Sequence, residues 1–211
     1  MNHVIITRAN FSDDQTLRKY LPLINDVFIP CLHNQTCKKF KLHIIVQPRH
    51  TELFTNLFKG IDIMIIYPDE RNRYSLKSPN TVMNIQTRHD CDDWMAPTYI
   101  EEIQKVYNTN TDPEYLVCTF PTILEYNTGK EYPKAHDKTR NVPQFLSLCQ
   151  HHNDKYIYQH GHHEYRKYIP KMVVLNDDLV KWVMHDNNRS RAHSYYNNWS
   201  GGIAPKNITL M

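Results

Sequence analysis

The 211-residue chain contains no run approaching the roughly 20 apolar residues that a membrane-spanning helix requires, so a membrane span is excluded. It also lacks an excess of either charge: 25 basic side chains face 22 acidic ones, for a formal net charge of +3. The basic residues are scattered rather than gathered into a stripe, which argues against a nucleic-acid partner. Cysteine is sparse. Cys31, Cys37, Cys91, Cys118 and Cys149 are odd in number and show no CxxC spacing, which argues against a disulfide framework and a cysteine zinc centre. The N-terminus lacks the basic region, apolar stretch and small-residue cleavage site of a signal peptide, so the chain is expected in the cytoplasm with reduced thiols. No repeat, low-complexity tract or linker divides it. With 40% hydrophobic residues and a mean hydropathy of −0.65, residues 1–211 read as one globular domain.

What is present is an alternation of strand and helix signals. Val4–Arg8, Leu42–Val46 and Ile61–Ile66 are apolar, β-branched runs of the kind buried on both faces of a parallel sheet. Between the first two, Leu17, Tyr20, Leu21, Ile24, Val27 and Phe28 recur at helical spacing after Asp13 and Asp14, despite Pro22. Glu52–Phe58 reads as a second helix. A fourth strand, 82–87, runs into Arg88-His89-Asp90-Cys91-Asp92-Asp93, and Pro97 precedes a helix with Ile100, Ile103 and Val106 on its buried face. Further along, Leu116–Phe120 and Tyr156–Tyr158 read as strands, Pro143–Cys149 and Asp177–Met184 as helices, and Asn127–Asn141 as a long surface loop. The fold class is thus α/β: a mostly parallel central sheet flanked by helices. The polar segment 186–211 forms a flexible tail.

The acidic cluster sits at the carboxyl end of a strand, where open α/β sheets bind their ligands. On an extended strand end, Asp90 and Asp92 would point to one side and Asp93 to the other. Two carboxylates without thiolates suit Mg2+ or Mn2+, cations that complete their shells with water and substrate phosphate oxygens. The competing reading is an acidic turn that caps the following helix.

The stretch Thr87-Arg88-His89-Asp90-Cys91-Asp92-Asp93-Trp94-Met95-Ala96-Pro97-Thr98-Tyr99-Ile100-Glu101 resembles the D-x-D-D signature of GT-A fold glycosyltransferases, and is especially similar to their rhamnosyltransferase-like branch. Thr7-Arg8 at the end of the first strand and Trp182-Val183-Met184-His185 extend the resemblance. It implies a single, Rossmann-like GT-A domain of near-minimal length. The activity it implies is that of a metal-dependent hexosyltransferase. Such an enzyme moves a sugar from a nucleoside-diphosphate sugar to a carbohydrate or other hydroxyl acceptor.

Carried over by position, the resemblance makes Asp92 the direct metal ligand, with Asp90 on the ribose or assisting at the metal and His185 completing the site. Imidazole favours Mn2+ over Mg2+. Arg8, Arg71, Arg73, Lys77 and Arg88 lie near strand ends where base, ribose or diphosphate must be held, with Arg8 and Arg88 favoured by the motif and Thr7 expected at the base. An inverting transfer needs a carboxylate to take the acceptor proton. Relatives place Glu-Asp where this chain has Asn141-Val142-Pro143-Gln144. The remaining candidates are Asp137, Asp154, Asp177 and Asp178, of which Asp137 is preferred.

Two alternatives stand beside this reading. One is a non-catalytic nucleotide- or sugar-binding module of the same fold, suggested by the missing Glu-Asp pair. The other is a zinc hydrolase built on His151-His152 and His160-Gly161-His162-His163, a grouping that matches no HExxH arrangement. The aromatic tail around Tyr195, Tyr196 and Trp199, with Gly201-Gly202 as hinge, is expected to fold over the donor as a lid.

Overall fold

The β-branched run at the N-terminus forms β1 (His3–Ala9), whose Val4, Ile5 and Ile6 are fully enclosed. Each such side chain contributes about 1.5–3 kcal/mol on burial. The computed structural model describes residues 1–68, 83–132, 145–151, 155–158, 164–175, 178–185 and 206–207. Asp13 caps α1 (Asp14–Leu23) by accepting from Thr16 N–H at 2.7 Å, as the sequence suggests. The helical path then passes through a π-helical turn at Ile24–Phe28 into α2 (Ile29–His33).

There follow β2 (Lys41–Val46), a 3-10 turn at Pro48–His50, α3 (Thr51–Leu57), β3 (Ile63–Ile66), β4 (Ile85–Arg88), β5 (Trp94–Met95) and α4 (Tyr99–Thr109). The second half supplies β6 (Glu114–Thr119), β7 (Thr122–Glu125), β8 (Lys130–Tyr132), β9 (Phe145–Gln150), α5 (Tyr165–Tyr168), β10 (Met172–Val174), β11 (Val180–Met184) and β12 (Lys206–Asn207).

Seven strands make the central sheet in the order β10-β6-β9-β4-β1-β2-β3. Within it only β9 runs against its neighbours, β4 and β6, so the sheet is mostly parallel, as expected. A second sheet, β12-β8-β7-β11-β5, was not anticipated by the sequence pattern. Alternate residues of β1 enter two cores. Ile5 and Ala9 join Leu17, Phe28 and Ile100 on the helix-covered face, and Val4 and Ile6 join Tyr156, Ile157, Tyr158 and Tyr165 on the other. A third cluster, Leu23, Val27, Leu124 and Val183, welds α1 and the π turn to the second sheet.

Several expectations for the second half are corrected. Pro143–Cys149 was expected as a helix, but Phe145–Gln150 is strand β9, buried at every position. Phe145, Leu148 and Cys149 have helical spacing, yet a site between β4 and β6 is apolar on both sides, and the ladder to those strands prevails. Its polar Ser147 is satisfied by Thr87 Oγ1 at 2.7 Å. The expected helix Asp177–Met184 is likewise a strand, β11, entered through Asp178 at φ 69° and paired with β7 and β5. Tyr156–Tyr158 forms a turn rather than a strand. Gln86 Oε1 accepts from Ile157 N–H at 2.9 Å, so a side chain replaces the ladder. β8 lies inside the expected 127–141 loop. Val82, Arg71, Arg73, Lys77, Asp137, Asp154, Asp177, the His160–His163 group and the expected lid, apart from Lys206 and Asn207, fall outside the described residues. No helix among the described residues is long and apolar enough to cross a membrane.

Candidate functional site

β4 ends beside the carboxyl end of β1, with Ile6 opposite Arg88 in register, and the acidic cluster follows at once. The cluster is not extended. Asp93 N–H donates to Asp90 O at 3.2 Å, closing a turn. The expected same-side placement of Asp90 and Asp92 by strand alternation is therefore replaced by turn geometry, which gives each carboxylate its own surroundings.

Asp93 turns inward. It is 2% exposed, and its Oδ1 accepts from Val183 N–H of β11 at 2.9 Å. Burial, then the neighbouring Asp92 and Asp90 charges, push its carboxyl well above the usual range, and its bond to Val183 latches the turn to β11. That latch carries β11 past the turn and delivers its last neighbour, His185, to Asp92. His185 Nε2 lies 3.0 Å from Asp92 Oδ2, although the two residues are 93 positions apart. His185 is 4% exposed, and the ring of Tyr20 on α1 meets it edge-on at 5.2 Å. Burial raises the Asp92 carboxyl, an effect opposed by its hydrogen bond with His185. The expectation that His185 follows a helix is replaced by a strand, but its meeting with Asp92 is the one the sequence resemblance implies.

The pair suits a divalent cation. Two ligands in adjacent positions of an octahedron, each about 2.1 Å from the metal, lie about 3 Å apart, and Asp92 and His185 have that separation. A carboxylate oxygen with an imidazole nitrogen is a donor set Mn2+ accepts. Among the described residues no group of three His, Cys, Asp or Glu side chains converges on one point, so the remaining ligands would come from substrate oxygens and water.

The opposite face of the same edge is cationic. Arg8 lies over the ring of Tyr158 at 4.2 Å and Arg88 over the same ring at 5.0 Å, while the Tyr158 hydroxyl donates to Ile6 O at 3.3 Å. Two guanidinium groups are thus gathered by one buried aromatic ring. Thr7 points to the helix-covered face, is fully enclosed, and its hydroxyl has no hydrogen-bond partner in the structure. Arg8, on the opposite face from Thr7, is the one that shares the Tyr158 ring with Arg88. Tyr158, read from the sequence only as a strand residue, was not assigned to this edge, and Asp93, expected to point away from Asp90 and Asp92, is the carboxylate that turns inward.

The cleft between the π turn and the second sheet encloses about 440 Å3 and is lined by Asp26, Cys31, Trp94, Leu124 and Tyr126, among others.

The sequence matches, over residues 5–196, the family model described as "Putative rhamnosyl transferase". No curated protein matches it. In fold the chain is similar to S. aureus TarS 1–349, at 9% identity and TM-score 0.55, over 85% of this chain and 59% of that one. It is also similar to the mannosyltransferase PcManGT from Pyrobaculum calidifontis, solved with GDP-Man and Mn2+, at 10% identity and TM-score 0.59, over 92% of this chain and 60% of that one. A third likeness is to the 4-diphosphocytidyl-2C-methyl-D-erythritol synthase from Anaerococcus prevotii, at 10% identity and TM-score 0.51, over 92% and 95% of the two chains. The chain therefore spans about three fifths of the TarS and PcManGT chains, and its α/β fold with a mostly parallel central sheet is that of GT-A glycosyltransferases. With the family model covering most of its length, the chain belongs to the rhamnosyl transferase family, a family of glycosyltransferases.

Proposed function

We propose that the protein transfers a sugar from a nucleoside-diphosphate sugar to an acceptor hydroxyl, with a divalent cation, Mn2+ ahead of Mg2+, held by Asp92 and His185. The observation that carries the reading is the Asp92–His185 pair at the carboxyl edge of the sheet, 3.0 Å apart and enclosed by α1 and β11. Family membership supports sugar transfer, and PcManGT, of the same fold, is titled as a complex with GDP-Man and Mn2+.

A bound cation supplies neutralisation of the charge that grows on the departing nucleoside diphosphate. The chain's own residues do the rest. Arg8 and Arg88 present guanidinium groups to the diphosphate from the other face, and Tyr158 holds both at that edge. Asp90, at the start of the turn and part-exposed, would take the ribose. Asp93 positions the turn through its bond to Val183 N–H.

The test is calorimetric titration with UDP, GDP, dTDP and CDP, each with and without Mn2+, followed by donor turnover. Binding of one diphosphate that requires Mn2+, and turnover abolished in Asp92→Asn with folding preserved, is the expected result. Binding without turnover favours the non-catalytic module of the same fold. Absence of binding by all four returns the cluster to a structural turn.

A further inference from the structure

The π-helical turn at Ile24–Phe28 is a rare conformation with an identifiable cause. Pro30 has no N–H to donate, and in a regular helix its ring would meet the carbonyl of Asp26 four residues back. The wider turn, with Ile29 N–H bonded to Ile24 O, removes that conflict. Such turns concentrate at functional positions, and this one places Asp26 and Val27 on the wall of the 440 Å3 cleft.

The cleft's chemistry is specific. Tyr126 OH donates to Asp26 Oδ2 at 2.6 Å, a short charge-assisted bond that fixes the carboxylate. Asp26 is exposed, so its other oxygen is open to a ligand. Trp94, with the Lys181 ammonium 4.5 Å above one ring face, and Tyr126 add aromatic surface, and Leu124 an apolar wall. Aromatic surface beside a fixed carboxylate matches a pyranose, which has apolar C–H faces and a rim of hydroxyl donors. A volume of this size holds a mono- or disaccharide.

The position matters as much. Trp94 lies two residues beyond Asp92, and Leu124 stands opposite Val183, two residues before His185. Trp94 thus continues the segment of the acidic turn and Leu124 lies on β7, the strand beside β11, so the cleft adjoins the segments that carry the proposed metal ligands, on residues separate from Arg8 and Arg88.

We propose that this cleft is a saccharide site that holds the acceptor, with Asp26 accepting hydrogen bonds from its ring hydroxyls between Trp94 and Tyr126. The assignment rests on the sugar-transfer reading. The test is titration of protein carrying 15N-labelled indoles with methyl pyranosides and their disaccharides at millimolar concentration, with and without the nucleotide that binds. The Trp94 signal is assigned through Trp94→Phe. The expected result is a saturable shift of the Trp94 indole by one saccharide class. Asp26→Ala is expected to weaken that saccharide about tenfold or more while leaving nucleotide affinity unchanged. Tyr126→Phe, which keeps the ring and loses the hydroxyl, gives a smaller loss in the same direction. If a nucleotide binds but no saccharide moves Trp94, or if Asp26→Ala binds the saccharide as the parent does, the cleft assignment is overturned and the donor reading stands. Saccharide binding in a protein that binds no nucleotide overturns the acceptor role.

Discussion

The two faces of one sheet edge hold opposite charges by opposite means. On the helix-covered face, Asp92 and His185 meet at 3.0 Å in an enclosure closed by Tyr20, and burial pushes the nearby Asp93 carboxyl well above its usual range. On the other face, Arg8 and Arg88 are part-exposed and share the ring of Tyr158. The difference teaches how a small domain keeps an acidic pair and a basic pair side by side without their collapsing into one ion pair. Alternation along β1 and β4 puts Arg8 and Arg88 on one face, and the turn after β4 carries Asp92 to the other.

The largest expected effect comes from breaking the acidic side. Asp92→Asn should lower donor turnover by about a thousandfold, the several kcal/mol that a bound metal contributes to a charged leaving group. Nucleotide titration should lose its Mn2+ dependence, and unaltered turnover would place the metal elsewhere. On the basic side, Arg88→Ala should weaken nucleoside-diphosphate affinity about tenfold to a hundredfold, the worth of a charge-assisted hydrogen bond. Its contribution should fall with added salt, because the guanidinium is part-exposed.

The barrier between the sides is tested at Asp93. Asp93→Ala strands Val183 N–H and should cost about 1–3 kcal/mol in urea unfolding. Asp93→Asn keeps an acceptor and removes the ionisable group, so it should unfold close to the parent. Equal losses in both would mean the carboxyl does more than accept that bond.

A last test lies at the start of β1 and reads stability against pH. Burial lowers the His3 pKa to about 3, so the folded protein leaves it neutral while the unfolded chain protonates it below about pH 6.5. The unfolded state then binds more protons, and stability falls as pH drops from about 6.5 toward 3, by about 1.4 kcal/mol per pH unit for this group. His43, lowered to about 4, adds in the same direction. His3→Gln should flatten the slope in urea melts between pH 6 and about 4 by that amount, without changing nucleotide binding at neutral pH.

The first half of the fold was legible because β1, β2 and β3 are apolar, β-branched runs; burial on both faces of β1 and β2 agrees with that preference, and β3 is part-buried at the sheet edge. The second half was not. In Phe145–Gln150 and Val180–Met184 the apolar residues fall at helical intervals, and only the neighbouring strands, far away in sequence, decide the outcome. The site shows the same division. Asp90, Asp92 and His185 were readable from motif resemblance, whereas Asp93 as a latch and Tyr158 as a common platform depend on contacts 90 and 152 positions apart, with Val183 and Ile6.

The bond between Asp93 and Val183 N–H also makes the site answerable to the whole domain. Its two halves lie 90 positions apart in sequence, so neither can form alone, and any opening that frees β11 dismantles the Asp92–His185 pair with it. Amide exchange at Val183 is then a gauge of site integrity at rest: the peptide proton should trade with solvent only as often as the Asp92–His185 pair comes apart.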